Sequence, residues 1–144
     1  MSPSERAILE AVVDRLIPSD ECGPGAVEAG VMRYMERAWA AHREAYAGGL
    51  AALGESFCDL EPEAQDAALA ALERDGAAFF ALVRTHAIEG MFGDPRWGGN
   101  ADFAGWDLLG YAGLRRVWTA AEQRLDVIVP PTHQGRDDLE DGSR

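Results

Sequence analysis

The chain contains no lysine, and this absence sets the first limit on its chemistry. All 13 basic residues among its 144 are arginines, and 25 acidic residues give a net charge of −12. Chemistry that uses a lysine amine, such as Schiff-base formation on lysine, is therefore excluded. The acidic balance also argues against nucleic acid or an anionic membrane surface as the main partner, because such binding depends on neutralising phosphate groups.

Cysteines and long apolar runs are scarce as well. Cys22 and Cys58 lie 36 positions apart, which matches no metal or redox motif, so we expect two unpaired thiols, with a disulfide between two loops as the alternative. The longest strictly apolar run, residues 77–83, has seven residues, whereas a membrane-spanning helix needs about 20. The N-terminus also lacks the basic start and apolar run of a signal peptide, so we expect a cytoplasmic protein without membrane insertion. A periplasmic location is the alternative if a leader is missing or a partner carries the export signal.

The remaining pattern predicts an all-α domain of four or five helices. Ser2 and Glu5 form a capping box for a first helix that ends before Pro18. Apolar residues at helical spacing predict further helices over residues 26–46, 63–74 and 77–92, of which the last is the most apolar. The second is expected to end at Gly48 and Gly49, and residues 50–57 are compatible with a short helix.

The C-terminal third is less regular. Residues 120–125 are compatible with a helix, and residues 127–129 with a short extended piece before two prolines. Polar and acidic residues dominate from Thr132 onwards. We therefore expect one domain over residues 1–131 and a disordered acidic tail over residues 132–144.

A glycine- and aromatic-rich loop follows the most apolar helix. Residues 93–113 hold six of the 16 glycines and two of the four tryptophans. Gly98, Gly99 and Asn100 suit a backbone with positive φ angles, and Asp94 before Pro95 is expected to form a turn. Large aromatic side chains in such a loop either pack onto their own domain, as in a capping Ω-loop, or dock into a partner.

Three short motifs follow one another in this loop: Asp94, Pro95, Arg96, Trp97, Gly98, Gly99 and Asn100; then Gly105 and Trp106; then Gly110 and Tyr111. Thr85, His86, Glu89 and Gly90 precede them, and an N-terminal pattern of Leu16, Ile17, Pro18, Ser19 and Asp20 accompanies them. In this order they resemble the gluconate 2-dehydrogenase subunit 3 family. Ala112 stands where that family usually has proline.

The resemblance implies a helical small subunit that is not itself the catalyst. The partner it implies is a large FAD-dependent oxidoreductase of the glucose–methanol–choline type that acts on a sugar, a sugar acid or a glycoside, including the glycoside 3-hydroxyl. FAD would be bound in that partner and not by this chain alone, and some complexes add a multihaem cytochrome subunit. A permanent subunit and a transient chaperone for flavoprotein assembly both remain open.

Many family members carry a twin-arginine export signal. The only adjacent arginines here, Arg115 and Arg116, are far from the N-terminus. The departure favours a cytoplasmic complex.

We hypothesise that the loop docks on this partner. Trp97, Trp106 and Tyr111 would be the apolar anchors, because aromatic side chains dominate binding hot spots. Residues 91–118 carry three acidic residues and three arginines, so this stretch has no net charge, as is typical of an interface core. The remaining residues assigned to this surface are Phe92, Asp94, Pro95, Gly98, Gly99, Asn100, Gly105 and Gly110.

A metal-binding protein or stand-alone enzyme is the alternative from another class. His86 and Glu89 lie on one helix face and could begin a metal site with Asp94 or Asp102. No second histidine or cysteine follows at useful spacing, so a buried His86, hydrogen-bonded to Glu89 or to loop backbone, is the favoured interpretation. The remaining interpretation is that His86 reaches into a partner, with Glu89 as polar support of the docking surface. The chain has neither a phosphate loop nor a nucleotide-binding fingerprint, and we assign no catalytic residue and no metal ligand.

Overall fold

The computed structural model describes residues 1–75 and 78–141, which form an all-α fold without any β-strand. Five main helices run in chain order: α1 Pro3–Leu16, α2 Val31–Ala41, α3 Arg43–Leu53, α4 Pro62–Arg74 and α5 Ala78–Phe92. Two short helices, α6 Ala104–Leu108 and α7 Arg136–Asp141, follow. Single 3-10 turns occupy Glu55–Asp59, Pro95–Trp97 and Ala101–Phe103. None of the helices in these two ranges is long and apolar enough to span a bilayer.

The predicted capping box starts α1. The Ser2 hydroxyl accepts a hydrogen bond from the Glu5 backbone N–H at 3.1 Å, and the Glu5 carboxylate accepts one from the Ser2 N–H at 2.6 Å. The helix ends at Leu16, two residues before Pro18. Both ends are therefore set by local sequence, as predicted.

Helix α5 is the centre of the domain. It packs against α1, α2, α3, α4 and α6, and Val83 and Met91 on it have no exposed surface. The most apolar predicted helix is thus the core helix, although residue 77, its expected first residue, lies outside the described residues. The core also includes Leu9, Val12, Val13, Val31, Met35, Tyr46, Leu50 and Phe57.

The second predicted helix is wrong at both ends and in its continuity. Residues 26–30 form turns that end at Gly30, whose φ is 73°, and the backbone breaks again at His42 between α2 and α3. Gly48 and Gly49 do not end a helix but lie inside α3. A Cβ at Gly49 would lie 1.9 Å from the Phe79 ring, so glycine is needed there for the close packing of α3 on α5.

The C-terminal expectations also change. Residues 120–125 form turns without a helix, and residues 127–129 pair with no strand. Residues 132–141 were expected to be disordered but follow a hydrogen-bonded path that ends in α7. Residues 142–144 lie outside the described residues. Cys22 and Cys58 are free and exposed, which confirms two unpaired thiols.

Candidate functional site

The loop leaves α5 through a turn that Asp94 and Pro95 begin. The Asp94 carboxylate accepts a hydrogen bond from the Arg96 backbone N–H at 3.0 Å. Pro95 occupies the first position of the 3-10 turn, where its lack of an N–H carries no penalty. Gly98 then reverses the chain with a φ of 106°. The predicted role of Asp94 as a turn former is confirmed.

Asn100 is the centre of the loop. Its side chain is completely buried, and its backbone has a left-handed φ of 48°. The amide Nδ2 donates to the Gly93 carbonyl and Oδ1 accepts from the Gly105 N–H, each at 2.8 Å. One side chain thus joins the start of the loop to its later part and satisfies two backbone groups.

Two glycines let the loop lie directly on the last turns of α5. A Cβ at Gly99 would lie 2.0 Å from the Gly90 carbonyl oxygen, and one at Gly105 would lie 1.9 Å from the Met91 carbonyl oxygen. Both obstacles are helix backbone, which cannot rotate away as a side chain can. These glycines therefore permit close approach within this chain, whereas the sequence analysis assigns them only to the docking surface.

Trp106 packs inside the loop. Its Nε1 donates to the Phe92 carbonyl oxygen at 2.9 Å, and only 6% of its surface is exposed. Its ring lies 5.3 Å from that of Phe103 and 4.9 Å from that of Tyr111, centroid to centroid. Trp106 therefore has little area to offer a partner and does not suit the anchoring role that the sequence analysis assigns to it.

Other apolar residues of the loop face outward. Trp97 is 58% exposed, Leu109 63% and Tyr111 41%. Leu109 and Tyr111 also line a groove of about 570 Å³, together with Phe92, Trp106, Gly110 and Ala112. The loop thus combines an internal hydrogen-bonded frame with three exposed apolar side chains, those of Trp97, Leu109 and Tyr111, which we call the rim. The sequence analysis missed Leu109, which follows α6 as its C-cap residue, because nothing in the local sequence distinguishes it from a core leucine.

The C-terminal segment closes over the charged side of the loop. The Asp94 carboxylate accepts a second hydrogen bond, from the Arg136 backbone N–H at 2.8 Å. Arg96 pairs with Asp137 at 3.3 Å and with Glu140 at 3.6 Å. These contacts explain why the C-terminal segment is ordered, because Asp137 and Glu140 pair with Arg96, which lies far away in the sequence. Nothing in the local composition indicates this pairing.

A second contact fastens the same segment. The Asp107 carboxylate lies 2.8 Å from His133 Nε2, and the His133 ring stacks on Phe103 at 5.4 Å. The sequence analysis did not predict that His133 contacts the loop, because His133 lies in the segment that we expected to be disordered. The segment therefore holds the loop from both ends.

His86 is buried and hydrogen-bonded, but not to the predicted partner. Its Nδ1 lies 2.7 Å from the Tyr46 hydroxyl oxygen. Glu89 instead accepts a hydrogen bond from the Tyr34 hydroxyl at 2.6 Å. The rings of Tyr46 and His42 lie 5.9 and 5.1 Å from the His86 ring, centroid to centroid. The expected link between His86 and Glu89 is wrong, because Tyr46 on α3 bonds to His86 and Tyr34 on α2 bonds to Glu89.

Burial sets the protonation of this cluster. It lowers the pKa of His86 and raises that of Tyr46, so we assign the shared proton to Tyr46, which donates to a neutral imidazole. Burial and the hydrogen bond to Glu89 raise the pKa of Tyr34 to about 12. Both phenols therefore remain donors at neutral pH.

We predict that the free energy of unfolding falls as the pH decreases below 6.5. The unfolded chain takes up a proton on His86 near 6.5, whereas the folded chain does so only at a lower pH. Carboxylates with a lowered pKa, such as those of Glu5 and Asp66, weaken the fold only below their ordinary values of 4.5 and 3.8. Urea denaturation between pH 7.5 and about 4.5 measures the effect.

The variant His86→Gln is the control for this prediction. It should be less stable at pH 7.5 but should show a smaller dependence on pH in the same window. An unchanged pH dependence in His86→Gln would show that the effect does not come from His86.

The geometry gives no support to the metal-binding alternative. His86 and Glu89 are each engaged by a different tyrosine, and the Asp94 carboxylate is occupied by two backbone N–H groups. Within residues 1–75 and 78–141, no group of three or more histidine, cysteine or carboxylate side chains is placed to hold a metal ion.

Comparison with known protein families gives a match over most of the chain. The family model described as gluconate 2-dehydrogenase subunit 3 matches residues 3–113, a span that covers all five main helices and the whole loop as far as Gly113. Searches of curated proteins and of solved structures gave no match. The match covers most of the chain, and the protein belongs to the gluconate 2-dehydrogenase subunit 3 family.

Proposed function

We propose that this chain is the non-catalytic small subunit of a large FAD-dependent oxidoreductase of the glucose–methanol–choline type. The substrate would be a sugar, a sugar acid or a glycoside, and FAD would be bound in the large subunit. Membership of a family named for a dehydrogenase subunit supports the subunit role. The observation that carries the proposal is the exposed apolar rim of Trp97, Leu109 and Tyr111 on a rigid loop.

Rigidity is what makes this rim suitable for docking. Asn100, Gly99 and Gly105 hold the loop on α5 before any partner arrives. A surface that is already ordered loses less conformational entropy on binding, so more of the contact energy remains as affinity. Exposed tryptophan and tyrosine on such a surface are typical of binding hot spots.

The charge distribution along the sequence also supports the rim as the docking surface. Residues 91–118 are neutral, while the whole chain carries −12. An apolar surface without net charge can be dehydrated at lower cost than the acidic faces around it. The rim is therefore the part of this acidic protein that is best suited to close contact with another protein.

We predict that Trp97→Ala weakens binding to the large subunit by about tenfold or more without loss of stability. Its side chain is mostly exposed, with Arg96 over its ring at 5.4 Å. The chain would be co-expressed with the FAD-containing large subunit from the same organism, and the affinity measured with purified components. The melting temperature of the isolated chain is the second measurement.

Trp106→Ala is the matched control, because Trp106 is buried in the same loop. It should lower the stability of the isolated chain by about 3 kcal/mol. If Trp97→Ala left the affinity unchanged, the rim would not be the docking surface. The mass of the mature enzyme separates a permanent subunit, which is retained, from a chaperone, which is released.

A further inference from the structure

A second exposed apolar surface lies beyond the part of the chain that the family model matches. Between Leu114 and Pro131 the side chains of Val117, Leu125 and Ile128 are 75%, 107% and 97% exposed. The base of this segment is tied, because the Thr132 N–H donates to the Ala112 carbonyl at 3.0 Å and the Leu114 N–H to that of Gln134 at 3.2 Å. The segment is thus a tethered loop with its large apolar side chains turned to solvent.

This loop contains the start of a helix that does not continue. The Thr119 N–H donates to the Glu122 carboxylate at 2.9 Å, and the Glu122 N–H donates to the Thr119 hydroxyl at 3.3 Å. The Gln123 N–H reaches the Thr119 carbonyl at 3.2 Å, which is the first hydrogen bond of an α-helix. These contacts are those of a capping box, with Thr119 at the N-cap position.

The residues that follow have the pattern of an amphipathic helix. Ala121, Leu125 and Ile128 are spaced four and three apart, so a helix would place them on one face. Val127 would lie on the opposite side, and the prolines that follow Val129 would end the helix. A helix over residues 120–129 is shorter than the roughly 12 residues that a helix in water needs, so it requires a surface to form.

We propose that residues 120–129 fold into a helix when they bind an apolar groove on the large FAD-dependent subunit. The inference rests on the function proposed above and adds a second contact to it. The capping box defines where the helix begins, and Leu125 and Ile128 enter the groove. The partner surface would be apolar at its centre, as in other helix-in-groove complexes.

Charge argues for a different protein as the occupant and not a second copy. Two copies of this chain would each bring a charge of −12, and like charges repel at short range. Within residues 114–131, three arginines against Glu122 and Asp126 give +1, so this loop departs from the acidic character of the chain. The loop can therefore enter an apolar groove on another protein without bringing net negative charge, whereas docking of two copies would bring their acidic faces together.

The interface area that a stable complex needs indicates that the helix binds the same partner as the rim of Trp97, Leu109 and Tyr111. A stable interface buries about 800 Å² on each side, which a single short helix with two or three apolar anchors does not supply. The helix therefore strengthens a larger contact between the same two proteins. The rim, which precedes the tethered loop directly in the chain, supplies that larger contact.

The test uses the full chain and the purified large FAD-containing subunit from the same organism. The double variant Leu125→Ser/Ile128→Ser removes the apolar face, and Gln123→Pro removes the donor of the first helical hydrogen bond. Each should raise the Kd by about tenfold or more. The matched controls are Val127→Ser, on the opposite side, and Ala120→Pro, at a first-turn position where proline is tolerated. Both controls should stay within about threefold of the unchanged chain.

Amide hydrogen exchange gives the second readout. The amides of residues 124–129 should exchange quickly in the free chain and slowly in the complex. Binding by the unchanged chain, with no effect of the two test variants and no protection, would overturn the helix and leave the proposed function intact. Failure of the unchanged chain to bind would refute both. A dimer of this chain that Leu125→Ser/Ile128→Ser dissociates would assign the surface to a second copy and overturn the proposed partner.

Discussion

Gly99→Ala is expected to lower the free energy of unfolding by about 3 kcal/mol, near the upper end of the usual cost of overpacking. The added methyl carbon would lie 2.0 Å from the carbonyl oxygen of Gly90. Neither the backbone at Gly99 nor that at Gly90 can move away easily. The first belongs to the loop that Asn100 holds in place, and the second belongs to the core helix α5. The loop would have to lift from α5, which would disrupt the hydrogen bonds of Asn100.

Thermal unfolding monitored by circular dichroism tests this expectation, with a fall in Tm of about 10 °C. Gly48→Ala is the matched control: Gly48 lies inside α3, and a Cβ there meets nothing within 4 Å. That variant should be neutral or more stable by up to about 1 kcal/mol, because alanine favours helix. Equal effects of the two substitutions would contradict the close packing of the loop on α5.

Asn100→Ala is expected to have an effect of the same size, about 3 kcal/mol, for a different reason. It removes the donor to the part-buried Gly93 carbonyl and the acceptor for the buried Gly105 N–H, so two backbone groups lose their partner. An unsatisfied buried group costs about 1–3 kcal/mol. The left-handed φ of 48° adds a further cost for alanine.

Asn100→Gly separates the two contributions, since glycine accepts this φ but also lacks the amide. It should be less damaging than Asn100→Ala by about 1 kcal/mol in urea denaturation. Asn100→Asp retains an acceptor for Gly105 but places a carboxylate against the Gly93 carbonyl oxygen, so it should be at least as damaging as alanine. If Asn100→Asp were neutral, the hydrogen-bond pattern described for the loop would be incorrect.

Local features of the fold were predictable because they depend on neighbours in sequence. The period of apolar residues located α1, α4 and α5, and the capping box at Ser2 and the turn at Asp94 follow from residues two or three positions apart. The failures arose where a distant residue decided the outcome. Gly48 and Gly49 have the composition of a helix end, yet the ring of Phe79 requires glycine at the second position inside a continuous helix.

The candidate site shows the same division. Trp97 and Trp106 occur in one glycine-rich loop and were assigned the same role. The carbonyl of Phe92, at the end of α5, binds the indole of Trp106 and buries it, whereas Trp97 remains exposed. The partner of His86 could not be predicted either, because Tyr46 is 40 positions away and on another helix.

The sequence by itself determined the all-α class, the central apolar helix, the position of the glycine- and aromatic-rich loop and the resemblance to a family of dehydrogenase subunits. These follow from periodicity and from motifs in which the interacting residues are close together along the chain. Only the tertiary structure decided which residues of the three loop motifs hold the loop in place and which face outward. It also decided that the acidic C-terminal segment folds over Asp94 and Arg96. The physical reason is that burial and long-range hydrogen bonds depend on how helices pack, and packing brings together residues that no local pattern connects.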